Sequence, residues 1–107
     1  MTMLQNKAWS SAEQILRECL TIREKEEPDD WRTFNTKSML GEALQGQKKY
    51  AEAEPLLLAG FNGMKSREEM ISQPNRIRLV EAVERLVQYY EATGQTQDAE
   101  RWRRELK

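Results

Sequence analysis

The stretch Lys48-Lys49-Tyr50-Ala51-Glu52-Ala53-Glu54 decides the fold, because two other segments of the 107-residue chain align with it. The aligned segments are Lys7-Ala8-Trp9-Ser10-Ser11-Ala12-Glu13 and Gly94-Gln95-Thr96-Gln97-Asp98-Ala99-Glu100. Each ends in an Ala-Glu pair, and the alanines are spaced by 41 residues (12 to 53) and by 46 residues (53 to 99). Self-similarity at intervals of roughly 20–50 residues is typical of repeat architectures, in which each repeat is one supersecondary unit.

Apolar residues recur every three to four positions in five places, which predicts five helices. We expect them at about 10–27, 31–45, 50–65 and 75–92, with a short last helix that carries Ala99, Trp102 and Leu106. Ser10 is predicted to cap the first helix after a turn at Lys7, and Asp30 is predicted to cap the second. Residues 66–73 show no clear period, so their conformation stays open.

One side of the predicted fourth helix carries a long apolar stripe. Its members are Ile77, Val80, Val83, Leu86, Val87 and Tyr90. Such a stripe is typical of a helix that packs one face against a core. We therefore expect this side of the helix to be buried.

The charge balance argues against nucleic-acid and membrane partners. Lys and Arg number 17 against 18 Asp and Glu, for a net charge of -1. Nucleic-acid binders gain affinity by neutralising phosphates, and no apolar stretch approaches the roughly 20 residues that span a bilayer. The start of the sequence lacks the pattern of a secretory signal, and the single cysteine fits a reducing compartment. We therefore expect a cytoplasmic protein.

The residue inventory predicts no catalytic, metal or cofactor site. The chain contains no histidine, which removes the usual general base and the imidazole metal ligand. Cys19 lies on an apolar stripe beside Leu16 and Leu20, where a small buried side chain is the simpler reading than a reactive thiol. No glycine-rich phosphate-binding motif occurs. We expect a non-enzyme.

The repeated segments resemble the tetratricopeptide repeat (TPR) consensus, in which Leu-Gly-x-x-Tyr on a first helix precedes Gly-x-Tyr-x-x-Ala on a second. Leu40-Gly41 matches the start of this consensus. The stretch 47–56 is similar to the kinesin-light-chain-like subgroup, and the stretch 19–25 resembles the end of that subgroup's second helix. The resemblance covers nearly the whole chain and is weakest over 66–73. Lys48, Gly60, Thr96 and Arg103 depart from the pattern.

The resemblance implies an all-α fold: a right-handed superhelical α-solenoid of antiparallel hairpins with about five helices. It implies a single domain over 1–107. Residues 1–28 form a partial repeat with the second helix only, 29–66 a full repeat, and 74–107 a full or capping repeat. The chain looks like a fragment of a longer bacterial array, such as the repeats that follow some kinase domains. In that case any catalysis would lie outside this chain.

The family binds peptides or helices of partner proteins in a concave groove lined by first helices, which implies a protein-interaction scaffold. The corresponding positions are Asn35, Ser38, Glu42 and Gln45 in one repeat and Glu81, Glu84, Gln88 and Glu91 in the next. Their spacing places each set on one helical face. The second set is acidic, so we expect a partner with Lys, Arg or a free amino terminus. An ordinary solvated face remains the alternative.

Self-association is the other function that the sequence supports. The first helix has no hairpin partner, so Ile15, Leu20 and Ile22 are expected to expose apolar area. A second copy of the chain could cover that area in a homodimer.

Overall fold

The computed structural model describes the backbone of residues 3–106 and the side chains of residues 8–106, and this part of the chain contains no strand. Five α-helices occur in the order α1 (Met3–Glu26), α2 (Trp31–Gly46), α3 (Tyr50–Ser66), α4 (Ile77–Ala92) and α5 (Thr96–Arg103). The predictions of an all-α chain and of five helices are confirmed. Residues 1, 2 and 107 of the predicted domain lie outside the described residues.

Each helix packs against the next one along the chain, and α4 also packs against α2. The core lies between α2, α3, α4 and α5. Its largest fully buried apolar side chains are Leu40, Leu44, Leu57, Met64, Ile71 and Leu86. Ala53 and Ala99 are buried, whereas Ala12 is only partly buried. Two of the three aligned alanines therefore lie in helix-to-helix contacts.

The α2–α3 and α4–α5 turns have the same backbone geometry, 46 residues apart. Lys48 has a φ of 64° and Gly94 a φ of 76°, so the left-handed conformation recurs at equivalent positions. The next amide donates to a carbonyl five residues earlier, in the pairs Lys49–Leu44 (2.9 Å) and Gln95–Tyr90 (2.8 Å). Helices α2 and α4 also begin 46 residues apart and end 46 residues apart. The structure therefore supports the alignment of Ala53 with Ala99.

The first aligned segment does not form a turn, and the predicted start of a helix at Ser10 is wrong. The helix α1 is continuous from Met3, because Lys7 and Ala8 are good helix formers and no glycine or proline precedes Ser10 to break the helix. Asp30, by contrast, caps α2 as predicted: its side chain accepts a hydrogen bond from the Arg32 amide at 2.8 Å.

Helices α2 and α3 approach to backbone contact at Gly60. A Cβ atom at this position would lie 2.7 Å from the Ser38 amide nitrogen and 2.8 Å from the Phe34 carbonyl oxygen. Backbone atoms of a packed helix cannot move aside as a flexible side chain can. Glycine at position 60 is therefore required by the packing of the hairpin.

The segment between α3 and α4 contains two 3₁₀ turns, Glu68–Met70 and Gln73–Asn75. Ile71 lies between them and is buried, while Met70 is exposed. The guanidinium of Arg76 donates to the Ile71 carbonyl at 3.2 Å. A single inward-pointing residue has no period, which explains why the sequence pattern was uninformative here.

The predicted apolar stripe of α4 is buried over only part of its length. Val83, Leu86, Val87 and Tyr90 are buried, whereas Ile77 and Val80 are exposed. Val80 is the counterpart of Phe34, against whose ring the α3 residue Gly63 packs. Val80 lines an open depression together with Leu106, so the end of the α5 segment lies beside Val80 without burying it.

The carboxylate of Glu13 ties α1 to the α2–α3 turn. It accepts hydrogen bonds from Arg17 (2.6 Å), Gln47 (2.9 Å) and Lys49 (3.2 Å). The bonds from Arg17 and Gln47 are the main reasons why the pKa of Glu13 falls from 4.5 to about 2. Trp9, one helical turn earlier, packs against Gly46 in the same contact.

We predict that Gly60→Ala destabilises the protein by about 2 kcal/mol, the typical cost of forcing an extra methyl into a filled contact. The measurement is urea denaturation followed by far-UV circular dichroism. Asn62→Ala is the matched control, because Asn62 is exposed on the same helix and its loss should change stability by less than about 0.5 kcal/mol. Equal stabilities of the two variants would contradict the backbone contact.

We predict that Glu13 contributes stability above pH 4.5 and that this contribution is lost as the pH falls from 4.5 towards 2. The sign follows because the folded protein binds the proton of Glu13 less tightly than the unfolded chain does. Arg17 and Lys49 are 47% and 46% exposed, so solvent screening limits the contribution to about 1 kcal/mol.

The difference in unfolding free energy between the wild type and Glu13→Gln, measured at several pH values, tests this prediction. The difference should be largest near neutral pH and should shrink across the acidic window. Glu18→Gln, on the exposed side of the same helix, is the control. A difference that does not vary with pH would refute the role of Glu13.

Candidate functional site

Four of the eight predicted groove residues lie together in one shallow depression between α2 and α4. The depression has a volume of about 200 Å³ and is lined by Glu42, Glu81, Glu84, Arg85 and Gln88. Glu42 comes from α2 and the other residues come from α4. Side chains that are 39 or more residues apart in sequence thus form one polar surface.

Arg85 is the residue of this depression that the sequence reading missed. Its side chain is only 12% exposed and donates hydrogen bonds to Ser38 Oγ at 3.1 Å and to Glu42 Oε1 at 3.3 Å. It therefore joins α4 to α2 through a partly buried, charge-assisted contact. The available signal was that its counterpart 46 residues earlier is the apolar Met39, which marks position 85 as facing a neighbouring helix.

The other four predicted residues do not line the depression. Ser38 is fully buried beneath Arg85. Asn35 and Gln45 are partly buried, and the side-chain oxygen of Asn35 is buried without a hydrogen-bond partner among the described residues. Glu91 is exposed and forms an ion pair with Arg103 of α5.

The acidic character of the face is weaker than the sequence indicated, because arginines pair with three of its four carboxylates. The pairs are Glu42–Arg85 (3.3 Å), Glu81–Arg78 (2.8 Å) and Glu91–Arg103. The carboxylate of Glu84 is exposed and has no ion-pair partner within residues 8–106. Arg78 and Glu81 are both substantially exposed, so their pairing is easily exchanged. Glu84 is thus the carboxylate most available to an incoming cation.

A second candidate surface lies on α1, on the side away from α2. Ile15 is 66% exposed and Ile22 is 58% exposed, in agreement with the prediction of apolar exposure on this helix. Leu20 differs, because it packs against the core. Cys19 is partly buried and lies between the two isoleucines in sequence, on the same helical face.

Within the part of the chain that the structure describes, no three Cys, Asp or Glu side chains come together as a metal site. Across the same residues, no helix combines the length and the apolar character needed to cross a bilayer.

Comparison of the chain with protein-family models, with curated proteins and with solved structures finds no match in any of the three. The resemblance to TPR repeats therefore rests on the residues quoted in the sequence analysis.

Proposed function

We propose that this chain is a non-catalytic protein-interaction module that holds a peptide or helix of a partner protein on the face formed by α2 and α4. The observation that carries the proposal is the depression in which Glu42 of α2 meets Glu81, Glu84 and Gln88 of α4. An open polar surface built from two helices suits recognition of a partner rather than enclosure of a small substrate.

The packing order supports a stack of TPR-type hairpins in an α-solenoid. In this proposal α2–α3 and α4–α5 are successive repeats, and α1 is the second helix of a preceding one. Three features support it: matching helix ends and turns at a spacing of 46 residues, the contact of α4 with both α3 and α2, and the two buried alanines. Such a stack exposes a continuous face of first helices.

The charges of the face favour a partner with lysine, arginine or a free amino terminus. Glu84 is free of ion pairs within the described residues, and the exposed pair Arg78–Glu81 can exchange its cation for one from a partner. Arg85 cannot be exchanged as readily, because burial and two hydrogen bonds hold it in place. A partner cation is therefore expected near Glu81 and Glu84 rather than at Glu42.

We predict that Glu81→Lys combined with Glu84→Lys weakens the binding of lysine-rich and arginine-rich peptides by about tenfold or more, since attraction becomes repulsion. The measurement is fluorescence anisotropy with a panel of labelled basic and acidic peptides at low salt. The control is Glu68→Lys combined with Glu69→Lys, which changes the net charge equally in the 3₁₀ turn outside the depression. Equal loss of affinity in both double variants would mean that net charge alone causes the effect, which would contradict a site at Glu81 and Glu84. Unchanged affinity of the Glu81→Lys, Glu84→Lys variant would refute the proposal.

Self-association through α1 is a second candidate function, favoured by the exposure of Ile15 and Ile22. These residues are seven positions apart. Ala12 lies three positions before Ile15, and Cys19 lies four positions after it. The positions 12, 15, 19 and 22 form the seam of a heptad pattern, which is the arrangement that pairs two helices. In this proposal a second copy of the chain covers the seam.

We predict a concentration-dependent dimer that Ile15→Asp combined with Ile22→Asp abolishes, because both charges would be desolvated in the seam. Light scattering coupled to size-exclusion chromatography over a range of loading concentrations measures the mass. Gln14→Asp combined with Thr21→Asp is the control, since both residues are exposed on α1 outside the seam. A wild-type protein that stays monomeric at every concentration would contradict the dimer.

A further inference from the structure

Two of the three glutamates that end the aligned segments join one helix pair to the next. Glu13 of α1 accepts hydrogen bonds from Gln47 (2.9 Å) and Lys49 (3.2 Å) of the next hairpin. Glu54 of α3 accepts a hydrogen bond from the hydroxyl of Tyr90, again in the next hairpin, at 2.9 Å. In these two segments the glutamate of the Ala-Glu pair thus anchors the helix pair that follows it.

Glu100 of α5 is the third member of this set, and the anchoring contact is not made there. Its side chain is exposed, and its carboxylate has neither a hydrogen-bond nor an ion-pair partner among residues 8–106. Because the α2–α3 and α4–α5 turns match in geometry, Glu100 occupies on α5 the position that Glu54 occupies on α3. It is therefore an acceptor at the place where a following helix would dock.

Helix α4 offers a second set of acceptors at the same end of the molecule. Arg85 docks α4 on α2 through Ser38 and Glu42. The counterparts of these two residues, 46 positions further along, are Glu84 and Gln88, and both are exposed. Helix α4 therefore presents to solvent the two positions by which α2 holds an arginine of its neighbour. Because Glu84, the counterpart of Ser38, is acidic, this pair of residues attracts a guanidinium more strongly than Ser38 and Glu42 do.

We propose that Glu84, Gln88 and Glu100 form a docking surface for an α-helix of a partner protein that carries an arginine and, five residues later, a tyrosine. This spacing is that of Arg85 and Tyr90, which dock α4 on the α2–α3 hairpin. The inference rests on the proposed function and names its partner class. The arginine binds between Glu84 and Gln88, and the tyrosine hydroxyl donates to Glu100.

The apolar part of this surface is smaller than the one that α3 offers to α4. Leu57 of α3 is fully buried, whereas its counterpart on α5 is Arg103. Trp102 and Leu106 are the partly exposed apolar residues of this segment. Polar contacts consequently carry more of the binding than they do inside the molecule, and the affinity is modest and sensitive to salt.

The probe that tests this surface is a helix-stabilised peptide with the sequence of α4, residues 77–92. It is titrated into the isotope-labelled protein and followed by amide chemical shifts. Shift changes are expected at Glu84, Gln88 and Glu100. The Arg85→Met peptide, which carries the residue found at the equivalent position of α2, should bind about tenfold more weakly, as loss of a charge-assisted hydrogen bond implies.

Protein variants separate this surface from the depression between α2 and α4. Glu100 does not line the depression, so Glu100→Ala should weaken binding of the α4 peptide and leave binding of basic peptides at Glu81 unchanged. Glu69→Ala, in the exposed 3₁₀ turn, is the matched control and should change neither. All of these residues are exposed, so the variants should fold.

Three results would overturn the inference. The first is the absence of shift changes at about 1 mM peptide, where even a weak complex forms, and the second is equal affinity of the α4 peptide and its Arg85→Met form. The third is shift changes confined to α3, which would mean that the peptide displaces α4 from the α2–α3 hairpin. In each case retention of basic-peptide binding at Glu81 and Glu84 would leave the proposed function standing. Loss of both α4-peptide binding and basic-peptide binding would refute the docking surface and the proposed function together.

Discussion

The backbone contact between α2 and α3 at Gly60 is the constraint on which the rest of the structure depends. With no Cβ atom on Gly60, α3 lies directly over Ser38 and the Phe34 carbonyl. This fixes the angle at which the two helices cross and buries the side of Ser38 that faces α3. The Ser38 hydroxyl then points towards α4 and accepts a hydrogen bond from the guanidinium of Arg85. The close approach at Gly60 thus holds Ser38 where it bonds to α4 at the candidate face.

Apolar burial stabilises the fold, while polar contacts set how one hairpin meets the next. The core is continuous from α2 to α5, and Tyr89 links the hairpins by an edge-to-face contact with the Tyr50 ring, at 5.9 Å between ring centroids. Such contacts tolerate small rotations of one hairpin against another. The hydrogen bonds of Glu13, Glu54 and Arg85 are directional and reduce this freedom. The pair Ala53-Glu54 thus joins two roles, since the buried alanine allows close packing and the glutamate bonds to the next hairpin.

The sequence predicted the repeats and missed the interactions that depend on three-dimensional neighbours. Helical periodicity and turn residues were enough to predict five helices, the Asp30 cap and the 46-residue register, because these are local properties or repeat locally. The predicted start at Ser10 was wrong because alignment with the other segments suggested a turn that Lys7 and Ala8 do not favour.

The candidate site was predicted in part for the same reason. Helical spacing placed Glu42 on one face of α2 and Glu81, Glu84 and Gln88 on one face of α4, and the structure brings these faces together in one depression. Arg85 was missed because its contacts to Ser38 and Glu42 join residues 47 and 43 positions away. The pairing of Glu91 with Arg103 depends in the same way on where α5 lies.

The central claim is that the two hairpins stack in a fixed relation and together form the binding face. Nuclear Overhauser effects between them test it most directly. The account predicts contacts between the rings of Tyr50 and Tyr89, which lie 5.9 Å apart, and between the side chains of Ser38 and Arg85. Effects confined to the interior of each hairpin, with none between them, would show that the hairpins move independently and would contradict the account.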